Sequence, residues 1–402
     1  MDKSLGLYIH IPFCKSKCDY CDFYSLPGGE EWKARYRRAL CAHIAETVPL
    51  AREYEVDTVY FGGGTPMMLG LGELTAIFGQ IRKKFRLRRD GEITVEVNPD
   101  SADKKSLNTL RRCGFNRLSI GMQSAVDGEL RAVGRPHTFA DTCRVVKEAR
   151  AAKFKNLSLD LIYGLPGQTL ASFRESLNSA LALEPEHISC YGLKVEPGTP
   201  LARRVAEGET LPDDDLQAEC YLLAVELLSA NGYGQYEISN FAREGYASRH
   251  NLKYWQGRPY LGFGPGAHSD FGNRRYSFIR DLEGYITAIE TGSRILDEDD
   301  LIPLRERAGE YLMLRLRTTR GVEEWEYRRE YLMDFDPLAA LFADFEHRGW
   351  AERVERRWRL TPEGFLRSNQ LIGLLLEAQE KATLSATLRS VRRLERQSGE
   401  NR

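Results

Sequence analysis

No stretch of this chain approaches the roughly 20 consecutive apolar residues of a membrane-spanning helix, which excludes a helical span. Neither sign of charge is in excess. With 57 Lys and Arg against 58 Asp and Glu the formal net charge is -1, so no global field draws the chain to nucleic acid or an anionic membrane. The opening MDKSLGLYIHIPFC has neither a signal-peptide cleavage pattern nor a transit-peptide composition, and a soluble, cytoplasmic protein is expected. A disulfide framework is missing as well: of eight cysteines three fall within eight residues, while Cys41, Cys113, Cys143, Cys190 and Cys220 stand singly, as in a reducing compartment. Also absent are a second CxxC pair or a His pair at ligand spacing, the usual company of zinc, and any internal repeat beyond the alternation described next.

What is present is a regular alternation. The β-rich runs LGLYIHI, VDTVYFGGG, EITVEV, NRLSIGM, NLSLDLIYG and HISCYGL are separated by helix-like segments, Glu30 to Glu46, Gly72 to Phe85, Lys104 to Arg112, Ala140 to Ala151 and Leu170 to Leu183. Strand runs alternating with helical patterns predict a parallel sheet with crossover helices, and six such units suit a partial (β/α)6 barrel. Polar or glycine-rich residues close each run, at His10 to Cys14, Gly62 to Pro66, Glu96 to Pro99, Gln123, Asp160 to Pro166 and Lys194 to Pro197. Chemistry gathers at the C-terminal ends of parallel strands because their loops converge on one face.

The chain divides in prospect into a barrel core over 1–212, an extension over 213–299, a smaller α+β domain over 300–380 and a polar, arginine-rich tail over 381–402. The extension reads as a helix followed by a glycine- and aromatic-rich loop region. In the smaller domain a helix and a short hairpin turning at Glu355 to Arg357 look like a winged helix. With neutral overall charge, packing is favoured there over DNA binding.

The spacing CKSKCDYC places three thiolates, Cys14, Cys18 and Cys21, in a short loop directly after the first predicted strand. Three thiolate ligands on a 4Fe-4S cluster leave one iron open to an exogenous ligand, which is what chelation by the amino and carboxylate groups of S-adenosylmethionine (SAM) requires. A zinc site completed by His10 or His43, or no metal, are the alternatives. Tyr20 could lie against an adenine. In Gly62 to Pro66, backbone amides free of side chains allow a ligand to approach closely, although tight turns use the same residues.

These residues resemble the radical-SAM superfamily. Taken in order, LYIHIPFC, GGGTP, EVNP, SIGMQS, GRPH and DLIYGLPGQT look like the oxygen-independent coproporphyrinogen III oxidases and their relatives, the heme chaperones of the HemW type. The resemblance implies SAM contacts at Tyr8, Tyr20, Gly63, Gly64, Thr65, Glu96, Gln123, Arg135 and Asp160. Physically these fit: Glu96 and Asp160 can accept from ammonium and ribose hydroxyls, and Arg135 can pair a carboxylate.

The oxidases carry a further cysteine two residues after the third, where this chain has Phe23, and a longer segment ahead of the cluster loop. The chaperones instead show HNxxYW, complete here as His250, Asn251, Tyr254 and Trp255 in HNLKYW. Imidazole is a good axial ligand for heme iron, and aromatic rings can shield a macrocycle. His268 in GPGAHS reads as a turn residue and is not assigned as a ligand. The expectation is a heme chaperone that binds a 4Fe-4S cluster, SAM and heme and passes heme to acceptor hemoproteins, soluble or membrane-bound. A porphyrin-modifying oxidase is the alternative.

Overall fold

The computed structural model describes residues 3–399, with side chains as far as 384; the last three residues of the arginine-rich tail, and its side chains beyond 384, lie outside the described residues. Two compact units are present. The first comprises Met1–Gln235, Ser239–Lys253 and Arg258–Leu301, the second Tyr236–Ile238, Tyr254–Gly257 and Ile302–Arg402.

The first unit is built on β1 (Ser4–Ile11), β2 (Glu55–Gly63), β3 (Leu87–Val97), β4 (Arg117–Gln123), β5 (Leu157–Tyr163) and β6 (His187–Gly192), hydrogen-bonded side by side in that order and all parallel. Their near-continuous apolar runs follow from burial on both faces. Leu5, Leu7, Ile9, Val59, Phe61, Val95, Leu118, Leu159 and Ile188 are buried in one continuous core. The crossover helices α1 (Glu30–Thr47), α2 (Leu71–Lys84), α3 (Lys104–Cys113), α4 (Phe139–Ala151) and α5 (Leu170–Ala182) start within a residue or so of the sequence expectation. Reciprocal caps fix three of these starts, Asp103 with Ser106, Thr138 with Asp141 and Thr169 with Ser172.

The extension departs from expectation. Residues read as loop form strands: β7 (Asn240–Ala242) pairs antiparallel with β6, and β8 (Tyr260–Phe263) pairs parallel with β1, placing Leu261 opposite Leu7. Strands β9 (His268–Phe271), β10 (Arg274–Phe278) and β11 (Leu296–Leu301) then continue antiparallel from β8. The aromatics of this stretch are explained by that pairing, since Phe263 and Phe278 wall the buried His43 ring at 5.0 and 4.4 Å. The sheet thus gains strands at both ends without closing, a partial barrel of the kind expected.

In the second unit, helices Leu304–Arg315, Glu324–Tyr331 and Asp336–His347 pack with a three-stranded antiparallel sheet of Val322–Glu323, Arg357–Leu360 and Ala351–Val354. Its core is aromatic, with Phe342 stacked on Trp358 at 5.3 Å. The hairpin turns through Glu355 at φ 56°, and the backbone of the tail continues the helix Ser368–Gly399. Among the described residues no helix is long and apolar enough to cross a membrane.

Candidate functional site

At the C-terminal ends of β1 to β6 lies a cavity of about 400 Å³ whose wall includes Cys14, Cys18 and Cys21. The cysteine loop is held there by the backbone. Just beyond β1 the two-residue strand Phe13–Cys14 pairs with Leu26–Pro27, and the Gly64 and Thr65 amides donate to the Ile11 and Phe13 carbonyls at 2.8 and 2.7 Å. Between the thiols, Asp19 takes three independent anchors: its amide donates to Val133 O at 3.1 Å, its carbonyl accepts from the Leu201 amide at 2.8 Å, and its carboxylate meets Arg204 at 2.6 Å.

The surroundings suit thiolates bound to an iron–sulfur cluster. Arg135, buried, brings Nη1 to 3.4 Å from Cys18 Sγ, and its Nε has no hydrogen-bond partner. A Cβ on Gly64 would stand 3.0 Å from Cys14 Sγ and 2.7 Å from Phe13 O, so only glycine leaves this wall clear. The zinc alternatives lose support from where their histidines point. His10 Nε2 is 2.8 Å from the Tyr24 carbonyl, and His43 Nδ1 is 2.8 Å from the Tyr285 hydroxyl.

Of the SAM positions, Tyr20, Gly63, Gly64, Thr65, Glu96, Gln123, Arg135 and Asp160 all line the cavity. Tyr8 is not among the lining residues; its hydroxyl lies 3.1 Å from His10 Nδ1 and its ring stacks on Tyr60 at 6.3 Å. Gln123 ends β4 at φ 63°, a left-handed conformation that is uncommon for glutamine. Asp160 accepts from Ser119, Ser158 and Ser189 at 2.8–2.9 Å, hydroxyls from three adjacent strands. Glu96 accepts from the Tyr60 hydroxyl at 2.8 Å and from the Gly63 amide at 3.2 Å.

Sequence reasoning missed Tyr60, Asn98, Arg117, Ser119, Ser189 and Tyr191, which also line the cavity. A signal existed. Polar residues facing inward recur across neighbouring strands in register, Glu96 opposite Ser119, Ser119 opposite Ser158 and Asp160 opposite Ser189, inside runs that are otherwise apolar. Arg117, 1% exposed, is the most conspicuous of the six.

The HNLKYW residues do not come together on one open surface. They form the short helix Arg249–Trp255, in which Asn251 lines the cavity while His250 is 1% exposed. The His250 Nδ1 is 2.8 Å from Thr58 Oγ1, and its ring stacks on Tyr60 at 5.2 Å and 26°. Tyr254 and Trp255, half-buried, belong to the second unit.

The chain is similar to known proteins in sequence and in fold. The profile of the radical SAM superfamily matches residues 8–180. The chain is 36% identical to the heme chaperone HemW of Bacillus subtilis (strain 168), covering 92% of this chain and 98% of that protein. It belongs to the HemW family of radical SAM proteins. HemW of Escherichia coli (strain K12) is 33% identical over 92% of this chain and 98% of its own length. The mouse protein named radical S-adenosyl methionine domain-containing protein 1, mitochondrial, is 36% identical over 83% and 78%. Among solved structures, the coproporphyrinogen III oxidase HemN of Escherichia coli superposes with a TM-score of 0.82 at 24% identity, covering 93% of this chain and 90% of that one, and so shares the fold.

Within this HemW-family site, burial raises the Glu96 carboxyl to about 7; the nearby Asp160 adds to the shift, and the Tyr60 hydroxyl, the Gly63 amide and Arg117 oppose it. An amino group set against Glu96 donates to a full negative charge only above that pH. Affinity for SAM is therefore expected to weaken roughly tenfold per pH unit, at most, as pH falls below about 7, and to level off above it. Calorimetric titration of SAM across this range checks it. Glu96→Gln should flatten the profile, and a flat wild-type profile would show that Glu96 does not accept from the ligand.

Proposed function

We propose that this chain is a heme chaperone that carries a 4Fe-4S cluster and SAM in the barrel cavity, binds heme and delivers it to acceptor hemoproteins. The observation that carries the reading is the cavity wall, where three thiols and no fourth stand beside a row of hydrogen-bonding groups from five strand ends, with Phe23 63% exposed where the oxidases place a cysteine.

Cys14, Cys18 and Cys21 would hold the cluster, leaving one iron for the amino and carboxylate groups of SAM. The Arg135 guanidinium beside Cys18 offsets the charge of the thiolates and can pair a carboxylate. Glu96 and the Gly63–Thr65 backbone would accept from the N–H bonds of the iron-bound amino group, and Asp160, oriented by three serines, would accept from ribose hydroxyls. Bound, the cluster supplies one-electron chemistry toward the SAM sulfonium. The protein's own part is to orient these groups and to exclude water from the strand ends.

Anaerobic reconstitution tests the reading. The loaded protein should bind heme with a Soret shift, lose that heme to an apo-hemoprotein, and leave coproporphyrinogen III unchanged in the presence of SAM and reductant. Formation of protoporphyrinogen would overturn it in favour of the oxidase. Cys18→Ser should remove most of the brown absorbance of the cluster, and a spectrum equal to wild type would refute the ligand assignment.

A further inference from the structure

The HN pair of the HNLKYW helix sits in the barrel floor. The helix is held there by strand residues well before the strand ends: Glu92 of β3 accepts from the Arg249 and His250 amides at 3.1 and 3.0 Å, and Asp57 of β2 pairs with Lys253 at 2.7 Å. Three contacts then lead from the floor to the ligand cavity. Thr58 Oγ1 lies 2.8 Å from His250 Nδ1, the imidazole lies under the Tyr60 ring, and the Tyr60 hydroxyl donates to Glu96 at 2.8 Å. Tyr60 also stacks on Tyr8, its register partner on β1, and a Cβ on Gly62 would come within 2.9 Å of both the Tyr60 ring and the Glu96 carboxylate. The tyrosine therefore fits between the glycine backbone above and the imidazole below, and the imidazole fixes its height.

We propose that His250 is a positioning residue for SAM: from beneath the barrel it sets the Tyr60 ring, and through it the orientation of the Glu96 carboxylate that faces the ligand. The inference rests on the placement of SAM beside Glu96 argued above. It gives the histidine of the motif a role in the first unit that requires no iron. The buried ring, bonded to Thr58 and covered by Tyr60, is not presented to a macrocycle.

The test is SAM affinity of the cluster-reconstituted full chain, measured by calorimetry, with circular dichroism to confirm folding. His250→Ala leaves Tyr60 unsupported and should weaken SAM binding about tenfold, the scale of a misplaced charged hydrogen bond. His250→Phe, which keeps a ring under Tyr60, should restore affinity to within about threefold of wild type. Thr58→Val added to His250→Phe removes the stranded hydroxyl if the single variant folds poorly. Tyr60→Phe should match His250→Ala, and the two together should lose no more than Tyr60→Phe alone, because both act through one contact.

Wild-type SAM affinity in folded His250→Ala, or losses in the double variant that simply add, would overturn the proposal. SAM affinity in His250→Phe as low as in His250→Ala would overturn it too, since a ring under Tyr60 would then not be what positions Glu96. Glu96→Gln separates the two levels. If it leaves SAM affinity unchanged, the placement of SAM is what fails; if it weakens binding while His250→Ala does not, the relay through Tyr60 fails.

Discussion

Acidified from about pH 7 to about pH 5, the cofactor-free chain is expected to lose its fold. Five of its seven histidines are buried in the first unit, and burial is the main cause of each shift: His10 and His137 fall to about 4, His43 and His250 to about 3, and His187 well below its ordinary value. Neighbouring cations add to this, Arg280 at His10, Arg135 at His137, Arg117 at His187, and Lys253 with Arg117 at His250. In the unfolded chain these rings take up protons near 6.5, whereas in the native state they stay neutral until about 4 or below. Stability is therefore unaffected by them above about 6.5 and is lost as pH falls through the window beneath it, each ring contributing up to about 1.4 kcal/mol per pH unit.

Glu96 acts in the opposite sense. Its raised value means that the folded state binds a proton first, between about 7 and 4.5, which offsets one of the five. A net uptake of roughly four protons on unfolding gives a slope of about 5 kcal/mol per pH unit, comparable with the entire stability of many domains. Urea unfolding at a series of pH values measures it. Stability that stays level between about pH 6.5 and 5 would mean that these rings are charged or exposed in the native state.

The second large effect is expected at Lys253. Its ammonium, 6% exposed, forms the pair with Asp57, 13% exposed, and its stem crosses Gly6, where a Cβ would come within 2.9 Å of the lysine Cδ. Lys253→Met keeps the stem and removes the charge, leaving the buried carboxylate without its near partner; the Arg249 guanidinium at 3.8 Å compensates only in part. The loss should be about 3 kcal/mol in urea unfolding, and the paired change Lys253→Met with Asp57→Asn should recover much of it. A single variant as stable as wild type would show that the pair is solvated in solution.

The parallel half of the fold was legible because it is written locally. Each of the six runs is apolar enough for two-sided burial, and each ends in residues suited to a strand-end loop, so spacing alone located both the sheet and the face that carries the cysteines. The extension was not legible for the opposite reason. Strands of three to five residues such as Tyr260–Phe263 have too few positions to show a period, and what makes that segment a strand is a partner, β1, more than 250 residues away in sequence. Tyr20, Glu96, Arg135 and Asp160, which line the cavity, were named through the family resemblance and not from the pattern of runs. Tyr60 and Arg117 lie inside such runs, each opposite Thr94 in register, where a polar side chain looks like noise until the fold shows the Tyr60 hydroxyl reaching Glu96. His250 was readable as chemistry but not as location: a histidine before asparagine and two aromatics carries no mark that Thr58 and Tyr60 will enclose it.

The three anchors on Asp19 bear on how the iron is loaded. All are made by protein atoms, from the Val133 carbonyl, the Leu201 amide and the Arg204 guanidinium, so the loop between Cys14 and Cys21 acquires its shape with the barrel and not with the metal. The ordering entropy is incurred once, at synthesis. A chain without its cluster is therefore expected to keep this loop in place and to take up iron and sulfide without unfolding first.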